Sequence, residues 1–343
     1  MAFTIITQGS FTSAGTGIKI PVPSSADYFK TINYTQMNAA GTVCVGGEWF
    51  KGVTAANDGI RWRKAGSNAI LMDLFSTSSA SNGFTYVTTF PTIEAQNANA
   101  ITAITAANPA VVSQTNTYAN GDVLEFYGTT GMLNVGGFVA QISSVSGSGY
   151  TLLGLPATAS NGFATAATAG FTRRISNYLA VEPQYLYITN ISQALQAVVS
   201  TSVDPALYYA VGMKIHFSVP ASCGMIEMNQ VTGTITAVNA VSATANIGAY
   251  NLTVDIDSSA FTAFAFPLST LSPTAQLFAT LAPAGQSTRY DPVTRVQTGY
   301  NINLAPFHTG QFVPYMFLAG GSNSPAGAAN DVIIWQAFKM ENS

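Results

Sequence analysis

Two carboxylates set two residues apart, Asp255 and Asp257, come closest in this chain to a catalytic pair. Glycoside hydrolysis needs two carboxyl groups at short range, and on a strand starting at Leu252 these two would share a face. The same spacing reads as a polar strand face or a weak cation site. Both histidines, His216 and His308, stand in unrelated contexts. No His-Glu-x-x-His, paired-cysteine spacing, Gly-rich phosphate loop or Gly-x-Ser-x-Gly elbow occurs, and Gly147-Ser148-Gly149 reads as a hairpin turn. Cys44 and Cys223 lie far apart, each in a run of apolar or small residues, and so read as two buried thiols rather than a bridge. The densest basic stretch, Arg61-Trp62-Arg63-Lys64, could be a stacking platform for a single strand of nucleic acid, or an alternating strand whose charges face solvent or an acidic neighbour. A net charge of −3 and a pI near 5.3 argue against a phosphate-backbone ligand, which needs clustered cations. No catalytic, cofactor-binding or metal-ligating residue is therefore assigned, no cofactor is implied, and the chain is expected not to be an enzyme.

The elements that would position such residues read as β almost throughout. In residues 1–90, Phe3–Thr7, Lys19–Val22, Asp27–Thr35, Val43–Val53, Ile60–Lys64 and Phe84–Thr88 are β-branched or aromatic runs cut by Gly, Asn and Pro. Asn68–Phe75 is the one short helix expected there. Pro91–Ala100 reads as a polar connector. Gln193–Gln196, Pro205–Tyr209 and Ser272–Thr280 could form helical turns. Strands are expected again over Arg295–Leu304, Gln311–Leu318 and Asp331–Phe338, around a Gly-rich loop at Ala319–Gly327. Aromatic-rich strands at both ends of the chain each need a partner face. The economical arrangement joins them in one sandwich with the middle inserted, since termini usually lie close together. Beads on a string would leave two marginal small domains.

The middle says the same thing twice. Ile101-Thr-Ala-Ile104 and Val111-Val112 fall on Ile188-Thr-Asn-Ile191 and Val198-Val199 without a gap. With small drifts, Gly121-Asp-Val-Leu-Glu-Phe126 matches Gly212-Met-Lys-Ile-His-Phe217, Gly131-Met132 matches Gly224-Met225, and Asn134 matches Asn229. Further on, Val145 matches Val238, Tyr150-Thr-Leu152 matches Tyr250-Asn-Leu252, and Phe163–Ala166 matches Phe261–Phe264. The drift sits in Gly-, Ser- and Asn-rich text, where loops lengthen at little entropic cost. Each copy reads as a small antiparallel β unit. Asn120-Gly121-Asp122 supplies a tight turn, and Phe138–Val145 reads as one strand.

The phrases Ile101–Val112, Tyr118–Phe126 and Gly131-Met-Leu-Asn134 resemble the small β-barrel module known from the first catalytic cysteine half-domain of ubiquitin-activating enzymes. In phage genomes such modules recur in virion structural proteins, where they imply no ubiquitin chemistry. The first copy carries the resemblance over about 65 residues. The second lacks the Asn-Pro and Asn-Gly-Asp turns. The opening, Phe3–Phe11 with Ile20–Phe29, also resembles the start of phage structural proteins. The expected fold is all-β: a terminal β-sandwich from residues 1–98 and 285–343, β-barrel modules at 99–174 and 186–268, and a linker at 269–284.

Charged residues make up only 8% of the 343, about a third of the usual share, while apolar residues at 48% are ordinary. A neutral polar surface is poorly defended against self-association. With the absence of a catalytic cluster and this surface, the resemblance implies a structural subunit of a bacteriophage virion, in the tail or on the head surface, acting by packing. The alternative is a receptor- or glycan-binding adhesion module, with Tyr127–Gly137 or Gly320–Gly327 as binding tips. Expected partners are copies of itself and other virion proteins, with a host surface receptor as a further candidate and no nucleic acid or membrane. The opening residues lack a basic and then apolar signal, and no run approaches about 18 apolar residues, so assembly in the host cytoplasm and residence in the virion are expected.

Overall fold

The computed structural model describes residues 2–38, 43–52, 58–64, 69–75, 83–88, 92–163, 166–178, 186–240, 246–268, 278–284 and 314–341. Among these the chain is all-β, with 3-10 turns as its helical elements. Its first part holds β1 (Ala2–Ala14), β2 (Ile18–Pro21), β3 (Tyr28–Asn33), β4 (Cys44–Phe50), β5 (Ile60–Lys64), β6 (Ile70–Leu74) and β7 (Phe84–Val87). Then come β8 (Thr92–Gln96), β9 (Ala103–Ile104), β10 (Ala110–Ser113), β11 (Val123–Thr130), β12 (Val139–Gln141), β13 (Ser143–Ser146), β14 (Gly149–Leu152) and β15 (Ala169–Ser176). The second copy holds β16 (Leu186–Ile191), β17 (Val198–Thr201), β18 (Lys214–Ser218), β19 (Thr232–Val238), β20 (Asn251–Val254) and β21 (Thr280–Pro283). Last are β22 (Tyr315–Leu318) and β23 (Ala329–Glu341). These strands form two compact units: Met1–Phe90 with Ala206–Val211 and Phe312–Ser343, and Pro91–Pro205 with Gly212–Gln311.

In the first unit the two ends of the chain are hydrogen-bonded neighbours. β1 and β23 pair antiparallel from Ala2↔Glu341 to Ala14↔Ala329, with register shifts at Ile5/Thr7 and Thr12/Ala14. They form one flank of a six-stranded sheet ordered β1-β23-β3-β4-β5-β6, while β2-β22-β7 form a second sheet. Phe29, Trp49 and Ala337 from the larger sheet share one core cluster with Ile20, Phe84 and Met316 from the smaller. Phe29 stacks on Trp335 and meets Phe84 edge-on, each at 5.8 Å between ring centres. The alternation in Tyr28–Asn33 sends Phe29, Thr31 and Asn33 inward and leaves Tyr28, Lys30 and Ile32 half-buried, as a period of two requires.

Residues Ile70–Leu74 form strand β6, not part of a helix. Leu and Met are good helix formers, but tertiary context overrides propensity, and here Asp73, directly opposite Arg61 on β5, ties the segment into the sheet. The stretches 295–304 and 272–277 lie outside the described residues. Gln193–Gln196 is not helical, and Pro205–Leu207 is a single 3-10 turn.

The second unit contains both copies, and their strand pairings follow one circular order. In the second copy the order β16-β17-β20-β19-β18-β21 closes into a six-stranded barrel. In the first, β9 pairs β10, β10 pairs β14, β14 pairs β13, β12 pairs β11, and β11 pairs β15. The bridge Ile101↔Gly170 brings β15 back beside the first strand. The ring is opened where Ile142 interrupts the expected strand Phe138–Val145, leaving β12 and β13 in separate four-stranded sheets, and on the β9–β15 side it is joined by isolated bridges rather than a ladder. The copy with the fuller turn motifs is thus the less regular one.

Local details repeat as well. The Val111 N–H donates to Thr105 Oγ1 at 2.9 Å, and the Val198 N–H to Ser192 Oγ at 2.8 Å. Gly131 and Gly224 both have positive φ, and a Cβ at either would lie within 2.5 Å of a carbonyl oxygen, that of Ala166 or Ala263. Three of the expected matches are out of step. Val112 pairs Tyr150 where Val199 pairs Leu252, so Tyr150 corresponds to Leu252 and not to Tyr250. A slip of two keeps the same face inward, which is why the sequence pattern tolerated it. The 3-10 turns Leu133–Val135 and Ile226–Met228 correspond, which sets Asn134 against Glu227 rather than Asn229. The two glycine contacts set Ala166 against Ala263, one residue from the expected Phe264.

Two boundaries also move. Thr92–Gln96, read as part of a connector, is strand β8 and pairs with β15. Thr280–Pro283, read as linker, is β21 and closes the barrel between β16 and β18. Pairing needs of the flanking strands, invisible in the local text, decide both.

The copies are welded rather than strung. Phe266 and Phe278, from the second copy's sequence, belong to the core cluster of the first, where they surround Phe138 at 5.7 Å each. At Gly154 a Cβ would stand 2.0 Å from the Thr201 oxygen, so the two backbones touch there. Asn134 Nδ2 donates to the Pro267 oxygen (2.6 Å) and Asn108 Nδ2 to that of Ile247 (3.1 Å).

Candidate functional site

The expected carboxylate pair does not form. β20 ends at Val254, so Asp255 and Asp257 are not on a strand. The Thr234 N–H donates to Asp255 Oδ1 at 2.6 Å, and the Ser259 N–H and hydroxyl donate to Asp257 Oδ1. These hydrogen bonds hold both carboxyls below the usual range. Asp257 thus stabilises its own turn, while Asp255 ties the end of β20 to β19. His216 touches Thr232 Oγ1 and Gln230 Oε1, and His308 lies outside the described residues. Cys44 and Cys223 are buried and unbridged, and desolvation pushes their thiols up to about 12 and about 11. Among the described residues no three His, Cys, Asp or Glu side chains gather as metal ligands.

Arg61-Trp62-Arg63 is a strand whose alternation separates the arginines from the tryptophan. Arg61, 6% exposed, grips Asp73 with Nε and Nη2, both at 2.7 Å, and Arg63 Nε donates to the same carboxylate at 2.8 Å. The bidentate bond from Arg61 is the main reason the Asp73 carboxyl is held low. Two of the three cations are thus committed to an acidic neighbour on the next strand. Trp62 points the other way, beneath Lys30 Nζ at 4.8 Å from the ring centre.

That other side is the outer face of the six-stranded sheet, and it is the notable surface of this unit. Residues directly opposed across antiparallel strands share a face, so the register defines rows across it. One row runs Ile5–Phe338–Tyr28–Phe50, with Tyr28 4.8 Å from Phe50 and 5.2 Å from Phe338 between ring centres. A second runs Gln8–Gln336–Lys30–Glu48–Ile60–Leu74, and a third Ser10–Ile334–Ile32–Gly46–Trp62–Met72. Phe3, Ile5, Met72 and Leu74 are between 46% and 67% exposed. At about 3.4 Å per residue and about 4.8 Å between strands, the six strands present on the order of 800 Å2. Monomers rarely leave an apolar patch above a few hundred Å2 uncovered. The face is predominantly apolar, with one polar row through its middle and Lys64, opposite Ile70, beyond it.

No family model, curated protein or solved structure matches the chain.

The likeness to the ubiquitin-activating half-domain therefore rests on the residues quoted for it. Sequence reasoning found the alternation in Asp27–Thr35 and the aromatic strands at both ends, but not which faces were left outside. Ile70-Leu-Met-Asp-Leu74 carried the signal: four large apolar residues on a strand with a single charge. Reading it as helix hid them. Of the two loops named as binding tips, Met132, Asn134 and Val135 are buried and Gly128, Thr130 and Gly131 exposed in one, and Ser324 and Ala326 are buried and Ser322 and Asn323 exposed in the other.

Proposed function

We propose that this chain is a structural subunit of a bacteriophage virion, a tail or head-surface component that works by packing against neighbouring subunits. The observation that carries the reading is the outer face of the six-stranded sheet, a broad apolar surface of the kind that becomes buried on association. A charge content of 8% supports it, since little on such a chain opposes assembly. The resemblance of the twice-copied module to those of phage structural proteins gives the particle its identity. Welding of the two copies through Phe138, Phe266 and Phe278 suits a stiff building block rather than a flexible tether. The test is mass spectrometry and a cryo-electron density map of purified particles from the phage that encodes the chain. The chain should be present in many copies at defined positions. Absence from intact particles would overturn the reading.

A further inference from the structure

We infer that the outer face of the six-stranded sheet takes a second copy of the same chain, about a two-fold axis running along the strands between β3 and β4. The inference rests on the reading of the chain as a packing subunit and names the neighbour. In the order β1-β23-β3-β4-β5-β6 the midline falls between β3 and β4. Lys30 on β3 and Glu48 on β4 face each other across that midline, at the same height and with opposite charge. Rotation about the midline lays β3 over the partner's β4, so each Lys30 meets a Glu48 and each Glu48 a Lys30. The next height brings Ile32 over Gly46, a knob over a position without a side chain, and the height on the other side brings Tyr28 over Phe50. Under an apolar partner Lys30 would keep only the Trp62 ring and its neighbour Glu48, and Glu48 only the Tyr28 hydroxyl and Lys30, whereas a second copy adds a further counter-charge to each.

The area agrees. The overlapped lengths of the six strands amount to on the order of 500 Å2 per copy and about 1,000 Å2 for the pair, where specific interfaces begin. Sheets stacked face to face align their strands to within about 30°, which an axis along the strands satisfies.

Sedimentation velocity on the full chain tests this with three variants. Wild type should show a reversible dimer or a multiple of it. Lys30→Glu and Glu48→Lys each set like charges together twice per dimer, and each should raise the dissociation constant at least tenfold. Mixed in equal amounts, one variant brings two carboxylates to the axis and the other two ammonium groups, so both contacts again join opposite charges and association should return. Met72→Lys, at a side chain 67% exposed and so harmless to folding, should weaken association alone. A monomeric wild type, single variants that associate as wild type does, or a mixture that stays monomeric would overturn the inference. A chain found in particles yet monomeric in isolation would sink this pairing and leave the virion reading standing.

Discussion

Replacing Phe266 with alanine tests whether the two copies are one folding unit. The ring is 2% exposed and lies 5.1 Å from Phe163 and 5.7 Å from both Phe138 and Phe278 between ring centres. Phe266 comes from the second copy's sequence, yet two of these partners, Phe138 and Phe163, come from the first. Truncating a buried phenylalanine costs about 3–5 kcal/mol through lost transfer energy and the cavity left behind. Its aromatic contacts account for part of that, at about 0.5–1.5 kcal/mol per pair. Against a total stability of about 5–15 kcal/mol for a domain, this is a large fraction. Urea unfolding followed by hydrogen exchange, with amides of β10 and β14 read separately from those of β17 and β20, is the assay. Both sets should lose protection together and by a similar free energy, while Phe266→Leu should cost markedly less. A loss below about 1 kcal/mol, or one confined to the second copy, would refute the account of a shared core.

Asp73→Asn should destabilise the terminal unit by about 3 kcal/mol in thermal or urea unfolding, because it leaves the 6%-exposed Arg61 guanidinium without its carboxylate. The Asp73 carboxyl is held low by Arg61, so its contribution is fully present above about pH 4 and is lost as pH falls through the lower folded value; the variant should show a shallower acid limb. Cys44 and Cys223, with thiols raised to about 12 and about 11 by burial, should resist thiol reagents at pH 8 until denaturant is added, and rapid native labelling would contradict their burial. Gly131→Ala should cost clearly more than Gly137→Ala: both glycines have φ near +80°, but a Cβ meets the Ala166 oxygen at 2.5 Å in the first case and nothing within 4 Å in the second. Equal losses in thermal unfolding would remove the close backbone approach as the reason for the glycine.

The all-β class was legible because the strands alternate and their ends are punctuated by Gly, Asn and Pro. The repeat was legible because Ile101–Ile104 and Val111-Val112 share an offset with their counterparts, and the pairings Ile104↔Val112 and Ile191↔Val199 keep it. What the text hid was set by distant partners. Thr280–Pro283 looks like linker until β16 and β18 are seen to need a strand between them. Phe266 looks like the end of one module and serves the core of the other. The outer sheet face was the least legible of all. Tyr28, Ile32 and Trp62 are ordinary strand residues, and only the register shows them gathered on the side away from the core.

The antiparallel pairing of β1 with β23 sets an order of events during synthesis. About three hundred residues separate the two strands, so the first emerges from the ribosome long before its hydrogen-bonding neighbour exists. The modules between them, whose contacts are nearer in sequence, can close first. Until β23 is in place Ala2–Ala14 is a long strand with both edges open, exposed to pairing with the same strand of a neighbouring nascent chain. Abundant subunits translated side by side would meet that hazard most often, and a slowly completed sheet makes chaperone dependence during high-level expression the natural expectation.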